Sequence, residues 1–206
     1  MIRRLKSRHI GALKKHFEAL SQDDLRLRFN MSCNPVWVVE NYVGKLDFQR
    51  DILLGVFEGD DLVAFCHGAV VNQSVELGLS VLSSHRGKGF GSVLIERVKA
   101  FAAAQGANDV YVMCASDNTA MLTLARRHAM KMSSIGGESE GHVDPSSISG
   151  EAFAGAAADE LVADVADIGV DSISIPLSLA SKVQTQLTEI YLDTQKRASK
   201  IFFVGA

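Results

Sequence analysis

The stretch SVLSSHRGKGFGSVLIERVKAF, residues 80–101, decides how the rest of the chain is read. An apolar run closes at Leu82, and Gly87, Gly89 and Gly91 follow, with Arg86 and Lys88 set among them. From Phe90 the pattern turns helical: Leu94, Val98 and Phe101 stand at i, i+4 and i+7, and Gly106 sits where a C-terminal glycine cap belongs. Glycines let backbone N–H groups approach an anion closely, and the start of a helix favours negative charge. Two cationic side chains add donors. The stretch therefore predicts a phosphate cradle between a strand and a helix.

Working outward, LKSRHIGALKKHFEAL (5–20) has helical spacing, and SQDD offers the cap of a second short helix. ILLGVFE (52–58) and LVAFCHGAVV (62–71) read as a hairpin around Gly59-Asp60-Asp61, and SVELGLSVL (74–82) as a third strand. DVYVMCA (109–115) is a buried-type strand, NTAMLTLARRHA (118–129) an amphipathic helix, and residues 130–135 a further strand. The fold class is α/β: a mixed sheet in which an antiparallel meander is followed by strand–helix–strand–helix. The partner of the 130–135 strand is EGHVD (140–144), slightly favoured, or DSISIPL (171–177). Residues 151–167 and about 180–203 read as helices of a C-terminal extension.

Three phosphate loops compete for residues 86–92. A Walker A motif needs GxxxxGK followed by Ser or Thr, and here Gly89 follows Lys88. A dinucleotide fingerprint counted from Gly87 meets Ser92 where its third glycine belongs, and Asp109 stands at the start of the next strand rather than at its end. The pattern Arg/Gln-x-x-Gly-x-Gly/Ala is satisfied by Arg86 to Gly91. That loop resembles the acetyl-CoA loop of the GNAT superfamily of N-acetyltransferases. NTAMLTLARRHAM (118–130) is similar to the superfamily's asparagine followed by an apolar helix. HFEALSQDDLRLRF (16–29) resembles the opening of the acetyltransferase domains of bacterial protein-lysine acetyltransferases.

The resemblance implies a division of labour. Arg86, Gly87, Lys88, Gly89, Phe90, Gly91 and Ser92 would hold the pyrophosphate of acetyl-CoA. The strand carrying Val81 and Leu82 would part from strand 109–115, and its backbone N–H groups would bind pantetheine and polarise the thioester oxygen. Asn118 would contact pantetheine. A primary amine is protonated at neutral pH, with a reference pKa of roughly 10.4 for lysine, so a general base is useful. Glu76 is the candidate. It shares a strand face with Gly78, Ser80 and Leu82, opposite the apolar face of Val75, Leu77, Leu79 and Val81, at a position where relatives carry a catalytic glutamate.

Two departures stand out. The tyrosine that many relatives place seven residues after the asparagine, as general acid, is Ala125 here, and the usual Gly-Phe is Ala129-Met130. Cys114, Ser116 and Tyr111 are the available substitutes, none preferred. The alternative function is an acyl-CoA-binding sensor or regulatory module without turnover; a nicotinamide-dependent dehydrogenase is disfavoured by the failed fingerprint. His85 reads as structural, Cys114 as core, and Arg26 and Arg28 as partners of Asp23, Asp24 or another structural acid rather than of an acidic acceptor.

Bulk composition constrains the rest. The 206 residues suit one domain with an extension, divided as 1–144 and 145–206. Cys33, Cys66 and Cys114 form no CxxC pair and no histidine pair has zincin spacing, so neither a disulfide framework nor a metal is expected. With no span-length apolar run and no leader pattern, the expected location is cytoplasmic, without a membrane. The net charge of −3 divides into −9 over the Lys- and Arg-free segment Met132–Ser181 and +6 elsewhere. The acidic segment is expected either to be solvated or to draw cationic amine acceptors to the site. No basic stripe with interleaved aromatics points to nucleic acid. The terminal helix is expected to pack on the core or to form a homodimer interface.

Overall fold

The computed structural model describes residues 2–147. Its strands are β1 (Ile2–Arg4), β2 (Ile52–Glu58), β3 (Asp61–Val71), β4 (Ser74–Val81), β5 (Asp109–Ala115), β6 (Lys131–Ile135) and β7 (Glu138–Val143). The helices are α1 (Ile10–Glu18), α2 (Gln22–Phe29), α3 (Pro35–Asn41), α4 (Phe90–Ala104) and α5 (Thr119–Arg127). One sheet runs in the order β1-β2-β3-β4-β5-β7-β6. All its pairings are antiparallel except β4 with β5.

Local chemistry sets the helix starts. Ser21 and Asp24 form a capping box at α2, the Ser21 side chain accepting from the Asp24 N–H and Asp24 from the Ser21 N–H. Asn34 caps α3 ahead of Pro35 in the first turn, and Asn118 caps α5. Gln105 and Gly106, at φ +76°, end α4 as the glycine predicts. After α5 the chain turns at Ala129 with φ +57°, a left-handed conformation that costs a non-glycine residue about 1–2 kcal/mol. The turn points Met130 into the core, where it is buried.

Alternation along the strands builds two cores. Ile52, Leu54, Val75, Leu77, Val110 and Val112 pack against Leu94, Ile95, Val98 and Phe101 of α4. Leu53, Phe57, Leu62 and Phe65 pack on the other face against Leu13 and Phe17 of α1, Leu25 of α2 and Val38 of α3. β2 is buried on both faces, which explains its unbroken apolar run.

The sheet has one discontinuity. β4 pairs with β5 only through Ser74–Asp109, Val75–Val110 and Glu76–Tyr111. Beyond Glu76 the strands part: Leu77 to Val81 have no partner on that side, while β5 continues along β7. The expected splay is present.

Several expectations change in detail. The helix expected from Leu5 begins at Ile10, after a single 3-10 turn at Ser7–His9, and Leu5 is buried with its N–H bonded to the Leu53 carbonyl at 2.7 Å. β1 is too short to show a period, and α3 was signalled only by Asn34-Pro35. The closing strand is β7, overlapping EGHVD and inserted between β5 and β6. The readings of 151–167, 171–177 and 180–203 lie outside the described residues.

Candidate functional site

The loop after β4 is shaped by its glycines. Gly87 (φ +77°) and Gly89 (φ +84°) take left-handed conformations, and a Cβ on either would stand in open space. Gly91 is needed for a different reason: a Cβ there would sit 3.1 Å from the side chains of both Leu79 and Leu124. Gly89 is the N-cap of α4 and supplies no side-chain acceptor. The first helical hydrogen bond runs from Val93 N–H to the Gly89 carbonyl at 3.1 Å. The N–H groups of Phe90, Gly91 and Ser92 therefore have no acceptor among the described residues, and they converge with the helix dipole.

These groups open onto a cleft of about 370 Å³. β4 supplies Leu79, Ser80 and Val81, α2 supplies Asp24, Leu27 and Arg28, and Met121 and Leu124 of α5 close the other flank. Of the residues singled out from sequence, Val81, Arg86, Gly87, Gly89, Phe90, Gly91, Ser92 and Asn118 line it; Glu76, Leu82 and Lys88 do not. Because β4 has no neighbour on its β5 side beyond Glu76, backbone polar groups of the 77–81 segment face the gap.

The loop's charges already have partners. Arg86 donates from Nη2 to Asp24 Oδ1 and from Nε to the Val81 carbonyl. Burial disfavours ionised Asp24, but the bonds from Arg86 and Ser21 outweigh it and hold its pKa below the ordinary value. Lys88 and His85 both reach Glu58, on the far side of the loop. The Asn118 side chain accepts from Met121 N–H at 3.0 Å and donates to the Leu27 carbonyl at 3.3 Å. Arg26 pairs with Asp23, as expected, and also with Asp117. With Asn118–Leu27, this ties α2 to the loop after β5.

Away from the loop the cleft wall rests on two buried polar chains that sequence gave no means of assembling. His16 places Nδ1 2.8 Å from the Leu62 carbonyl, which can only accept, so that nitrogen carries the proton. Nε2 then accepts from Ser80 Oγ at 2.8 Å. Burial drives the His16 pKa down to about 4, so the ring is neutral at pH 7. In the second chain His67 Nε2 donates to Asp51 Oδ2 at 3.1 Å. Burial also lowers the His67 pKa, leaving Nδ1 to accept from the Tyr42 hydroxyl at 2.8 Å. The Tyr42 oxygen in turn accepts from Arg28 Nη2 at 2.9 Å. The signal was there in pieces, as polar residues interrupting apolar runs at His16 and His67, but their partners lie 64 and 25 residues away.

Glu76 is exposed and accepts from the Tyr111 hydroxyl at 3.3 Å, where β4 and β5 separate. Ala125 is fully buried, so the position of the absent tyrosine faces the core. Burial pushes the Cys114 thiol up, and Ser116 is bonded to Ser139. Among the described residues, no group of three or more His, Cys, Asp or Glu side chains could hold a metal ion. Nor is any helix among them long and apolar enough to cross a membrane.

Comparison with known proteins accords with this geometry. The sequence profile of the acetyltransferase (GNAT) family matches residues 17–130. The structure is similar to the GNAT domain of S. lividans PAT, at 18% identity, covering 69% of this chain and 89% of that one, with a TM-score of 0.62. It is also similar to PaiA N-acetyltransferase from Thermoplasma acidophilum in complex with coenzyme A, at 16% identity, 70% and 98% coverage and a TM-score of 0.57. A third similar structure is spermidine N-acetyltransferase from Vibrio cholerae in complex with CoA and spermine, at 15% identity, 71% and 95% coverage and a TM-score of 0.56. At these identities the likeness is one of fold. No curated protein matches the sequence.

Proposed function

The chain belongs to the acetyltransferase (GNAT) family, and from that premise we propose that it moves an acetyl group from acetyl-CoA to a primary amine. One observation carries the reading: the unbonded N–H groups at the start of α4 open onto a cleft that continues between the parted strands. A pyrophosphate at that helix end would receive the N–H groups of residues 90–92 and Arg86, which would exchange Asp24 for phosphate. The acyl-bearing arm would run along the free edge of β4, with backbone near Val81 and Leu82 stabilising charge on the carbonyl oxygen. Asn118, whose carbonyl oxygen is committed to capping α5, keeps one N–H for a cleft ligand.

In this reading the amine attacks the thioester carbonyl, the C–N bond forms, and the C–S bond breaks with its electron pair on sulfur. Glu76 receives the amine's proton through water, since it stands at the fork of β4 and β5 but outside the cleft lining. The thiolate leaves without a phenol to protonate it, as no tyrosine or cysteine among the described residues lines the cleft. A leaving group with a cysteine-like pKa of roughly 8.5 tolerates this. The acetyltransferase domain would span residues 1–144 and the acidic segment 145–206 would form an extension. The experiment is CoA-thiol release from acetyl-CoA with a panel of amines, for wild type and Glu76→Gln. Acceptor-dependent release that falls about 100-fold or more in the variant supports transfer with Glu76 as base. Acetyl-CoA binding with no release for any amine overturns it.

A further inference from the structure

We propose that Arg28 is the binding group for a carboxylate on the acceptor, so that the amine acetylated belongs to an amino-acid-like zwitterion. The inference rests on the acetyl-transfer reading for which ligand sits there, but the demand of Arg28 for an anion stands on geometry alone. The guanidinium lies in the cleft wall against Gly78, where a Cβ would collide with it. It is held in place by Phe29 and Tyr42, whose ring centres lie 5.0 and 5.5 Å from Cζ, and by the bond from Nη2 to Tyr42. Nε is buried with no acceptor. Among the described residues Arg28 has no carboxylate partner: Asp23 is bound by Arg26, Asp24 by Arg86, Asp51 by Arg50 and His67, and Glu76, two residues before Gly78 on the same strand face, accepts from the Tyr111 hydroxyl instead. A buried, unpaired guanidinium N–H is costly unless a ligand completes it, and a carboxylate matches its fork with two parallel bonds.

The position selects among anions. Gly78 precedes Val81 by three residues, about 10 Å of extended strand, on the side away from the glycine loop. Phosphate is provided for at the loop, so Arg28 serves the other end. Between the two sits Ser80, on the same strand face as Gly78. Its proton is committed to His16, so its oxygen offers only lone pairs to the cleft and can accept from an amine. An acceptor with an amine near Ser80 and a carboxylate on Arg28 satisfies both. A polyamine would bring a second cation against the guanidinium, and a lysine side chain within a protein would leave it unpaired.

The test is equilibrium titration of the twenty common L-amino acids, each against its own carboxamide, into the full chain preloaded with CoA. CoA-thiol release from acetyl-CoA is recorded for the same compounds. The expected result is that at least one amino acid binds more than tenfold tighter than its carboxamide, that Arg28→Gln removes the difference, and that Arg28→Lys restores part of it. Tyr42→Phe, which leaves the guanidinium but not the hydroxyl that positions it, should reduce the ratio several-fold and covers the case in which Arg28→Gln fails to fold. Equal affinity for acids and carboxamides in the wild type, or an unchanged ratio in Arg28→Gln and Tyr42→Phe, overturns the inference. Carboxylate-dependent binding without thiol release would uphold the Arg28 site and sink acetyl transfer. Thiol release with carboxamides or polyamines equal to that with amino acids would do the reverse.

Discussion

At the loop end of the cleft the donors are backbone N–H groups fixed by three glycines within five residues of sequence. At the Gly78 end the polar groups, a donor in Arg28 and an acceptor in Ser80, are side chains held by residues 16, 42, 51 and 67, contributed by four separate segments. Backbone donors cannot titrate and need no buried support. The side-chain end works only while two imidazoles stay neutral and every link in the chain is made. The loop end is therefore robust but indifferent to the ligand beyond its phosphates, whereas the Gly78 end is selective and fragile.

The largest expected effect that separates the two ends is on pH. His16 titrates near 4 when folded and at 6.5 when exposed, so the unfolded chain takes up the proton first. Stability is complete above pH 6.5, falls as pH drops toward 4, and loses on the order of 3 kcal/mol from this group; His67, also lowered, acts with the same sign. Urea unfolding at pH 7.5 and 4.5 measures it, and His16→Gln should abolish most of the dependence. Equal stability at both pH values would mean that this end is not built on a neutral histidine. A smaller effect sharpens the loop end: Arg86→Ala should weaken acetyl-CoA binding about tenfold, or 1.4 kcal/mol, by calorimetric titration. Lys88→Ala, whose ammonium sits on Glu58, should change it less than about threefold, roughly 0.6 kcal/mol. Between these falls Asn118→Ala, expected to lower unfolding stability by about 1 kcal/mol through the lost cap of α5. A larger change in acetyl-CoA affinity than in stability would make Asn118 a ligand contact first and a cap second.

This contrast also explains what could be read from the sequence. The glycine loop, α4, the meander and the helix α5 were legible because each depends on neighbours within a few residues. Glu76 could be assigned a strand face, but not its distance from the cleft, because that depends on where β4 leaves β5. Arg28 was expected to pair with a structural acid, since Asp23 and Asp24 lie in its own helix. Only the fold reveals that Arg26 and Arg86 occupy those acids. The pairing of His16 with Ser80 is a contact between a helix and a strand 64 residues later, and no local pattern carries it.

The three residue pairs that join β4 to β5 have a mechanical consequence. A sheet fastened at one end and open at the other behaves like a pair of tongs, with β1–β4 as one arm and β5–β7 as the other. Spreading the tips breaks no ladder hydrogen bond within either arm. What resists it on one face is α2, strapped to one arm by Asp24–Arg86 and to the other by Arg26–Asp117 and Asn30–Glu138. Those straps join charged or polar groups at the surface, so ionic strength acts directly on the grip of the tongs from this face. On the other face α4 packs on strands of both arms through a single apolar layer that salt does not screen.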